Sequence, residues 1–508
     1  TYALVGDGDL MEGVSQEAIN IAGQKQLNKL IVLYDSNDVS LDGPLSLSTN
    51  ENVAQRFKAA NWNYQKVTDG NDLAGLQQAL QQAQTSDRPT LIEVKTIIGY
   101  GTPESGTNKV HGNALGKANL AAMRQFYHWQ AAPFEIAPEI YQHYQEQVAK
   151  KQTAYQAWQT MFQEYQTEFP EVYRQFQDAR LDTTKLNLDD PAWQEPMATR
   201  TSNSKIMQQV ADQNVQLWGG SADLYSSNNT HLDDSKAFDA LHPEQRNVYF
   251  GVREFGMATA VNGINLHGNT RAFGSTYFVF SDHLNAAIRL AAIQQIPAVY
   301  IFTHDSIAVG EDGPTHEPIE QLAGLRSIPN VTVIRPADAH EVLGAWQKIG
   351  QITDQPTVLV LTRQKVPLLA QTQTDKVAFG GYTLSPAATA NPDGILVATG
   401  SEVALALQAQ QKLAQEKLNV AVVSMPSVEL FQAQSSDYQA QVLPPNVKVK
   451  IGLEMGSRNG LATVASAVIG IDHFGASGNG TEVVQQAGFT VDNIAEQFKA
   501  KLAEAEVK

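Results

Sequence analysis

Short runs of branched apolar residues alternate with stretches of helical apolar spacing through most of this 508-residue chain. Tyr2–Val5 reads as a strand, Gly6-Asp7-Gly8 as a turn, and Glu12–Gln26 as a helix with Val14, Ala18, Ile21 and Ala22 on one face. Leu30–Tyr34 is again strand-like. A helix at Glu51–Ala60, a strand at Trp62–Val67, a helix at Asp72–Gln84 and a strand at Thr90–Val94 follow. Short apolar strands joined through helices imply a parallel sheet covered on both faces. Ligands of such sheets sit outside the carboxyl ends of the strands. Asp7 and Asn37 each lie just past such an end.

The pattern changes over Glu139–Arg180, which is rich in Gln, Tyr and Glu and reads as long surface helices. Pro191–Pro196 reads as a linker. A second α/β unit follows, with a helix at Ser202–Gln213, a strand at Val215–Trp218 and a helix at Glu254–Leu266. Its further strands are Ala298–Thr303, Val331–Ile334 and Val358–Leu361. A third unit has strands at Ile395–Ala398, Val420–Val423 and Lys448–Leu453 and a helix at Glu402–Leu413. The expectation is an α/β protein of three consecutive domains with mainly parallel sheets, spanning 1–196, 197–378 and 379–508.

Composition removes several function classes. The chain has 36 basic and 53 acidic residues, a net charge of −17, the opposite sign to a general nucleic-acid binder. It has no cysteine, which excludes a disulfide scaffold, a Cys zinc site and a thiol nucleophile. No run approaches the ~20 apolar residues of a membrane span, and no signal peptide is visible. The expectation is a cytoplasmic protein with neither nucleic acid nor membrane as partner. No Gly-x-Gly-x-x-Gly after a strand, with an acidic residue about 20 further on, supports a nicotinamide dehydrogenase.

Gly6-Asp7-Gly8 and Asp35-Ser36-Asn37 suggest a hard-cation site. Mg²⁺ wants about six oxygen ligands and usually shares them with phosphate. Asp7 offers a carboxylate, Asn37 a carboxamide oxygen and Val39 a loop carbonyl. Gly8 lets the backbone come close to a diphosphate, beside the start of a helix. Taken alone, the same residues also read as a tight turn and a loop.

The block Gly6-Asp7-Gly8-Asp9-Leu10-Met11-Glu12-Gly13, closed by Asn37, resembles the thiamin diphosphate motif of transketolases. The resemblance recurs at Lys95-Thr96-Ile97-Ile98-Gly99, His111-Gly112, Gly219-Gly220-Ser221-Ala222-Asp223-Leu224 and Gly251-Val252-Arg253-Glu254-Phe255-Gly256-Met257. It continues through Thr303-His304-Asp305-Ser306, Gly310-Glu311-Asp312-Gly313-Pro314-Thr315-His316, Ala398-Thr399-Gly400-Ser401-Glu402 and Val423-Ser424-Met425-Pro426-Ser427. It implies two thiamin diphosphate-binding folds, the first incomplete, and a C-terminal α/β domain. The Thr1 start reads as a strand already under way, and the resemblance implies about 150 residues before it, on the scale of one domain.

The resemblance also implies site residues. Glu254, at a helix start, meets the cofactor's aminopyrimidine and helps generate the ylide; by position alone it is equally a first-turn Glu favoured by the helix dipole. Tyr277, Phe280 and His283 fall at helical spacing, which by itself suggests a core-facing stripe. The resemblance makes them an aromatic wall at the pyrimidine, with His283 departing from the family's more usual tyrosine. Asp223 joins the cofactor-binding set. His111 reaches both the diphosphate and the sugar and hydrogen-bonds developing oxyanions. Arg200, Ser227, His304 and Arg363 take the phosphate end of the substrate, Asp312 a sugar hydroxyl, and His316 the sugar near the reacting carbons. Gly400-Ser401 reads as structural.

The activity implied is transfer of a two-carbon ketol unit from a ketose phosphate to an aldose phosphate in the pentose phosphate pathway. It would use thiamin diphosphate with Mg²⁺, Ca²⁺ or Mn²⁺ as substitutes, in a homodimer with cofactor between the first domain of one chain and the second of its partner. The rivals are a related thiamin enzyme (dihydroxyacetone synthase or deoxyxylulose phosphate synthase) and a truncated non-catalytic subunit.

Overall fold

A computed structural model describes residues 1–177 and 180–507. The chain forms two compact units, 1–174 with 239–243, and 175–238 with 244–508. No helix among the described residues is long and apolar enough to cross a membrane.

The first unit is built on strands β1 (Tyr2–Gly6), β2 (Ile31–Ser36), β3 (Asn63–Val67) and β4 (Thr90–Lys95), in the order β1-β2-β4-β3. All neighbours are parallel. Leu91 and Ile92 of β4 point to opposite faces and both are fully buried, as a sheet covered on two sides requires. The expected Gly-Asp-Gly turn is instead the start of a short helix, Asp7–Met11, running directly out of β1. Asp9 caps its start, its carboxylate accepting the Gly6 N–H at 2.8 Å. The long surface helices expected after Glu139 are Pro138–Glu168 and Pro170–Gln177. Residues 178–179 of that expectation lie outside the described residues.

The second unit holds two large sheets and a two-stranded antiparallel pair of Met197–Ala198 with Lys365–Val366. One contains β5 (Leu217–Ser221), β6 (Asn247–Tyr249), β7 (Arg271–Tyr277), β8 (Val299–Thr303), β9 (Thr332–Ile334) and β10 (Thr357–Leu361). Its order is β9-β10-β8-β7-β5-β6, parallel throughout. The other contains β11 (Tyr382–Ser385), β12 (Gly394–Ala398), β13 (Val420–Ser424), β14 (Lys450–Leu453) and β15 (Ala467–Ile469), ordered β11-β13-β12-β14-β15. Only its β11–β13 pair is antiparallel. The fold class is therefore α/β with mainly parallel sheets, as the sequence implies.

Two further expectations change. Pro191–Pro196 is not a free linker: Pro191–Gln194 forms a 3₁₀ turn, and Trp193 is buried in the same apolar cluster as Leu181, Leu186 and Ile206. An indole of that size is worth more inside than in water. The strand expected at Val215–Trp218 is instead Leu217–Ser221: Val215 and Gln216 form a turn, and the strand runs on through two glycines. A Cβ on Gly219 would stand 2.1 Å from the Phe273 carbonyl oxygen, and one on Gly220 1.8 Å from that of Val248. Neighbouring backbone fills the space a side chain would take.

Candidate active site

In the first unit, β1 and β2 pair with Gly6 beside Asp35, so their carboxyl ends lie side by side. Asp7 follows one end and Asn37 the other. Asp7 is 7% exposed. Its Oδ1 accepts a hydrogen bond from the Tyr34 hydroxyl, and its Oδ2 is buried with no partner. Burial raises the Asp7 pKa above its ordinary value, partly offset by Tyr34 and the Asn37 backbone. A carboxylate oxygen buried without a donor is suited to a cation. Asn37 Oδ1 accepts the Val39 N–H at 3.1 Å, which ties the two residues into one loop. Asp38 sits at φ +62 and its carboxylate meets Lys95 Nζ at 2.7 Å. A Cβ on Gly8 would meet nothing within 4 Å, so no protein contact demands glycine there. That open space fits a group brought close to the backbone. Among the described residues no three His, Cys, Asp or Glu side chains gather as a metal cluster. A cation here would use mixed oxygens from Asp7, Asn37 and Val39, which suits a hard ion.

His111 follows the 3₁₀ turn Asn108–Val110 in the same unit. Its Nδ1 is buried without a partner. The turn is fastened to the loop beyond Val39 by Asn108, whose amide donates to the Leu41 carbonyl at 3.0 Å.

In the second unit Arg200, Ser227, His304, Arg363, His316, Tyr277, Phe280 and His283 gather near the carboxyl ends of β5, β7, β8 and β10, whereas among the described residues no contact links Asp223, Glu254 or Asp312 to them. Tyr277 ends β7, His304 follows β8, and Arg363 lies two residues past β10. Arg200 Nη1 donates to the Ser227 carbonyl at 2.6 Å and stands 3.5 Å from His304 Nε2, while its Nε is buried without a partner. Ser227 therefore meets Arg200 through its backbone, not its hydroxyl. His304 is 2% exposed, and Thr303 Oγ1 lies 2.8 Å from its Nδ1. Burial, then the Arg200, Arg363 and His316 charges, push the His304 pKa down to about 3. Burial and then Arg363 also lower the Arg200 pKa. Four cationic or basic groups thus converge, and Arg363's own carboxylate, Glu311, is 4.0 Å away and largely exposed.

The Tyr277 ring covers His304, with centroids 3.8 Å apart, and stacks with Phe280 at 5.9 Å. Phe280 meets His316 edge-on at 5.4 Å and His283 at 5.9 Å. Tyr277, Phe280 and His283 do not form one helical stripe. They occupy a strand end, a 3₁₀ turn (Phe278–Phe280) and the helix Ser281–Ile293 in turn. The rings line up because the chain bends between them. Glu254 is the first residue of helix Glu254–His267 and is half-buried. Asp223 is exposed at φ +62, and Asp312 is exposed between Gly310 and Gly313, both at φ +75. The Asp7 set and the Arg200 set belong to different units.

Two residues of the site carry no mark in the sequence: Tyr34, the partner of Asp7, and Asn228, whose Oδ1 accepts from Thr303 Oγ1 at 2.7 Å behind His304. Asn228 adjoins Ser227, but nothing marks it as buried until β5 and β8 are placed.

Residues 1–184 match the family model described as transketolase, thiamine diphosphate binding domain. Residues 195–367 match the transketolase pyrimidine binding domain, and 380–490 the transketolase-like C-terminal domain. The transketolase of Geobacillus stearothermophilus is 48% identical over 99% of this chain and 77% of its own length.

The chain belongs to the transketolase family.

That of Streptococcus pyogenes is 47% identical over 98% of this chain and 70% of the relative. Among solved structures, the transketolase of Pichia stipitis in complex with sedoheptulose 7-phosphate superposes with TM-score 0.96 at 34% identity, covering 100% of this chain and 77% of the other. That of Leishmania mexicana gives TM-score 0.94 at 35% identity, covering 99% and 76%. Membership makes the chain a transferase whose cofactor is thiamin diphosphate with a divalent metal. The chain spans 77% and 70% of the length of the two bacterial relatives, and the expected 150 preceding residues are not borne out.

Proposed function

We propose that this chain carries a two-carbon ketol unit from a ketose phosphate to an aldose phosphate. The observation that carries the substrate reading is Arg200. A half-buried guanidinium bonded to a backbone carbonyl and set 3.5 Å from an imidazole, with its Nε buried and unpartnered, is a costly arrangement unless an anion completes it. Arg363 and His304 stand around the same place. A sugar phosphate supplies a dianion at one end and hydroxyls along the rest. Arg200, Ser227, His304 and Arg363 then take the phosphate, Asp312 a hydroxyl, and His316 the carbons near the reacting bond. The local field attracts anions although the whole chain is acidic.

In the first unit, Asp7, the Asn37 carboxamide and the Val39 carbonyl would hold Mg²⁺, with Ca²⁺ or Mn²⁺ as substitutes, and Gly8 would leave room for the diphosphate. Thiamin diphosphate, when bound, supplies the nucleophilic carbon and the electron sink for breaking and remaking the C–C bond. The chain's own residues orient and move protons. With the cofactor bound, Glu254 would hold a proton toward its aminopyrimidine, Tyr277, Phe280 and His283 would wall that ring, Asp223 would join the cofactor-binding set, and His111 would donate a hydrogen bond to a developing oxyanion. The working form is a cytoplasmic homodimer, in keeping with an acidic, cysteine-free chain and the family it belongs to. The domains run 1–196, 197–378 and 379–508.

Calorimetry tests the substrate reading. Arg200→Gln is expected to weaken fructose 6-phosphate binding about tenfold or more while leaving thiamin diphosphate affinity unchanged. Equal affinity of wild type and variant for fructose 6-phosphate contradicts it.

A further inference from the structure

His304 stands at φ +64, a left-handed backbone conformation that is strained for a non-glycine residue. Such a residue persists only where its surroundings over-determine it. On its N-terminal side, Thr303 Oγ1 meets its ring. On its C-terminal side stands Asp305, 1% exposed. Arg335, which follows β9 and is fully buried, grips Asp305. Its Nε donates to Oδ2 at 2.9 Å, and its Nη2 lies 2.7 Å from the same oxygen.

The rest of this guanidinium reaches the loops of the third sheet. Nη1 donates to Thr399 Oγ1 at 2.8 Å and to Glu402 Oε1 at 2.9 Å. Main-chain bonds fasten Arg335 there too: its N–H donates to the Pro426 carbonyl at 2.8 Å, and its carbonyl accepts from the Gly400 N–H at 3.2 Å. Gly400 lies beneath the guanidinium, where a Cβ would stand 2.8 Å from Arg335 Cζ. Glu402 is fixed in turn by the Met455 N–H and by Ser401 Oγ at 2.8 Å. Glu454 extends the network, accepting from Thr399 Oγ1 at 2.7 Å and from Arg326 at 2.8 and 2.9 Å.

A buried network of this kind is a poor way to gain stability, since apolar packing of equal volume does as well or better. What it supplies is fixed geometry. We propose that Arg335, acting through Asp305 and braced by Glu402 and Thr399 of the third sheet's loops, is a positioning residue that holds His304 facing Arg200 at the phosphate end of the substrate site. The inference rests on the reading of Arg200 and His304 given above. It gives the third sheet a part in substrate binding without a contact of its own.

Two variants test it in the full chain with thiamin diphosphate and Mg²⁺. Arg335→Lys keeps a charge but loses the planar fork that spans Asp305 and Glu402. Asp305→Asn keeps an acceptor oxygen and removes the ion pair. Each is expected to raise KM for fructose 6-phosphate about tenfold while changing kcat less, with KM for an unphosphorylated ketose donor unchanged. Calorimetric binding of fructose 6-phosphate without acceptor shows the same loss. If both donors suffer equally, or neither does, Arg335 is merely structural and the inference fails. Should Arg335→Lys not fold, Asp305→Asn decides alone by the same ratio. His304→Asn, which tolerates the left-handed backbone, separates the two levels. If it leaves the ratio of KM values unchanged, the reading of His304 falls and the inference with it. If it shifts the ratio and Asp305→Asn does not, the inference alone is wrong.

Discussion

Asp7 is a carboxylate held where water cannot reach one of its oxygens. Burial raises its pKa in the folded state, so above its unfolded value the ionised group costs the empty protein stability. Asp7→Asn is therefore expected to raise the unfolding free energy of the cofactor-free protein at pH 7, measured in urea. The same change should weaken Mg²⁺-dependent thiamin diphosphate binding by about 100-fold, measured by calorimetry. A variant that is less stable and binds as tightly would refute the metal role. His304 offers the opposite sign of linkage. Its folded pKa is pushed down to about 3, against an unfolded value of 6.5. Between those values the unfolded chain binds the extra proton, so stability is lost as pH falls through that window. Compared with His304→Asn, wild type should lose about 2 kcal/mol between pH 7 and pH 5, from ~1.4 kcal/mol per unit. Parallel denaturation curves at both pH values contradict this. Most of these residues were visible in the sequence because strand ends and motif blocks mark them. Their partners were not. Tyr34 and Asn228 act by position across the sheet, which no linear spacing displays.

Elements were legible where apolar runs are clean. β8 and β10 are continuous apolar stretches and were read within a residue of their observed bounds. β7 was not read as a strand, although it is central to its sheet. Its Gly274, Ser275 and Thr276 break the apolar run, yet all three are buried. Ser275 is satisfied by Thr230 Oγ1 at 2.7 Å and by the Gly220 carbonyl, partners that exist only once the sheet has formed. Missing β7 is also why Tyr277, Phe280 and His283 looked like one helical face. Gly380 gives a prediction at this scale. It caps the turn Thr374–Phe379 at φ +80, and a Cβ there would lie 2.1 Å from the Phe431 backbone nitrogen. Gly380→Ala is expected to cost more than the ~1–2 kcal/mol of the conformation alone. A change below 0.5 kcal/mol in chemical denaturation, on the scale of about ±0.5 kcal/mol for bland surface substitutions, contradicts that packing.

Across the whole molecule, net charge and local charge part company. A chain of net −17 presents Arg200, Arg363, His304 and His316 together at one sheet's carboxyl ends. Net charge alone excluded nucleic acid but said nothing of a sugar phosphate, because binding follows the field at the site. The family's order of motifs carried the functional reading, and the parallel sheets explain why those motifs fall at strand ends. Homodimer formation is expected to appear in sedimentation as about twice the chain mass at micromolar concentration, the usual closed C₂ state; a monomer at that concentration opposes it. The most direct measurement is product analysis of the full chain with thiamin diphosphate, Mg²⁺, xylulose 5-phosphate and ribose 5-phosphate. Two-carbon transfer predicts sedoheptulose 7-phosphate and glyceraldehyde 3-phosphate in equal amounts; turnover without sedoheptulose 7-phosphate, or none at all with cofactor bound, contradicts it.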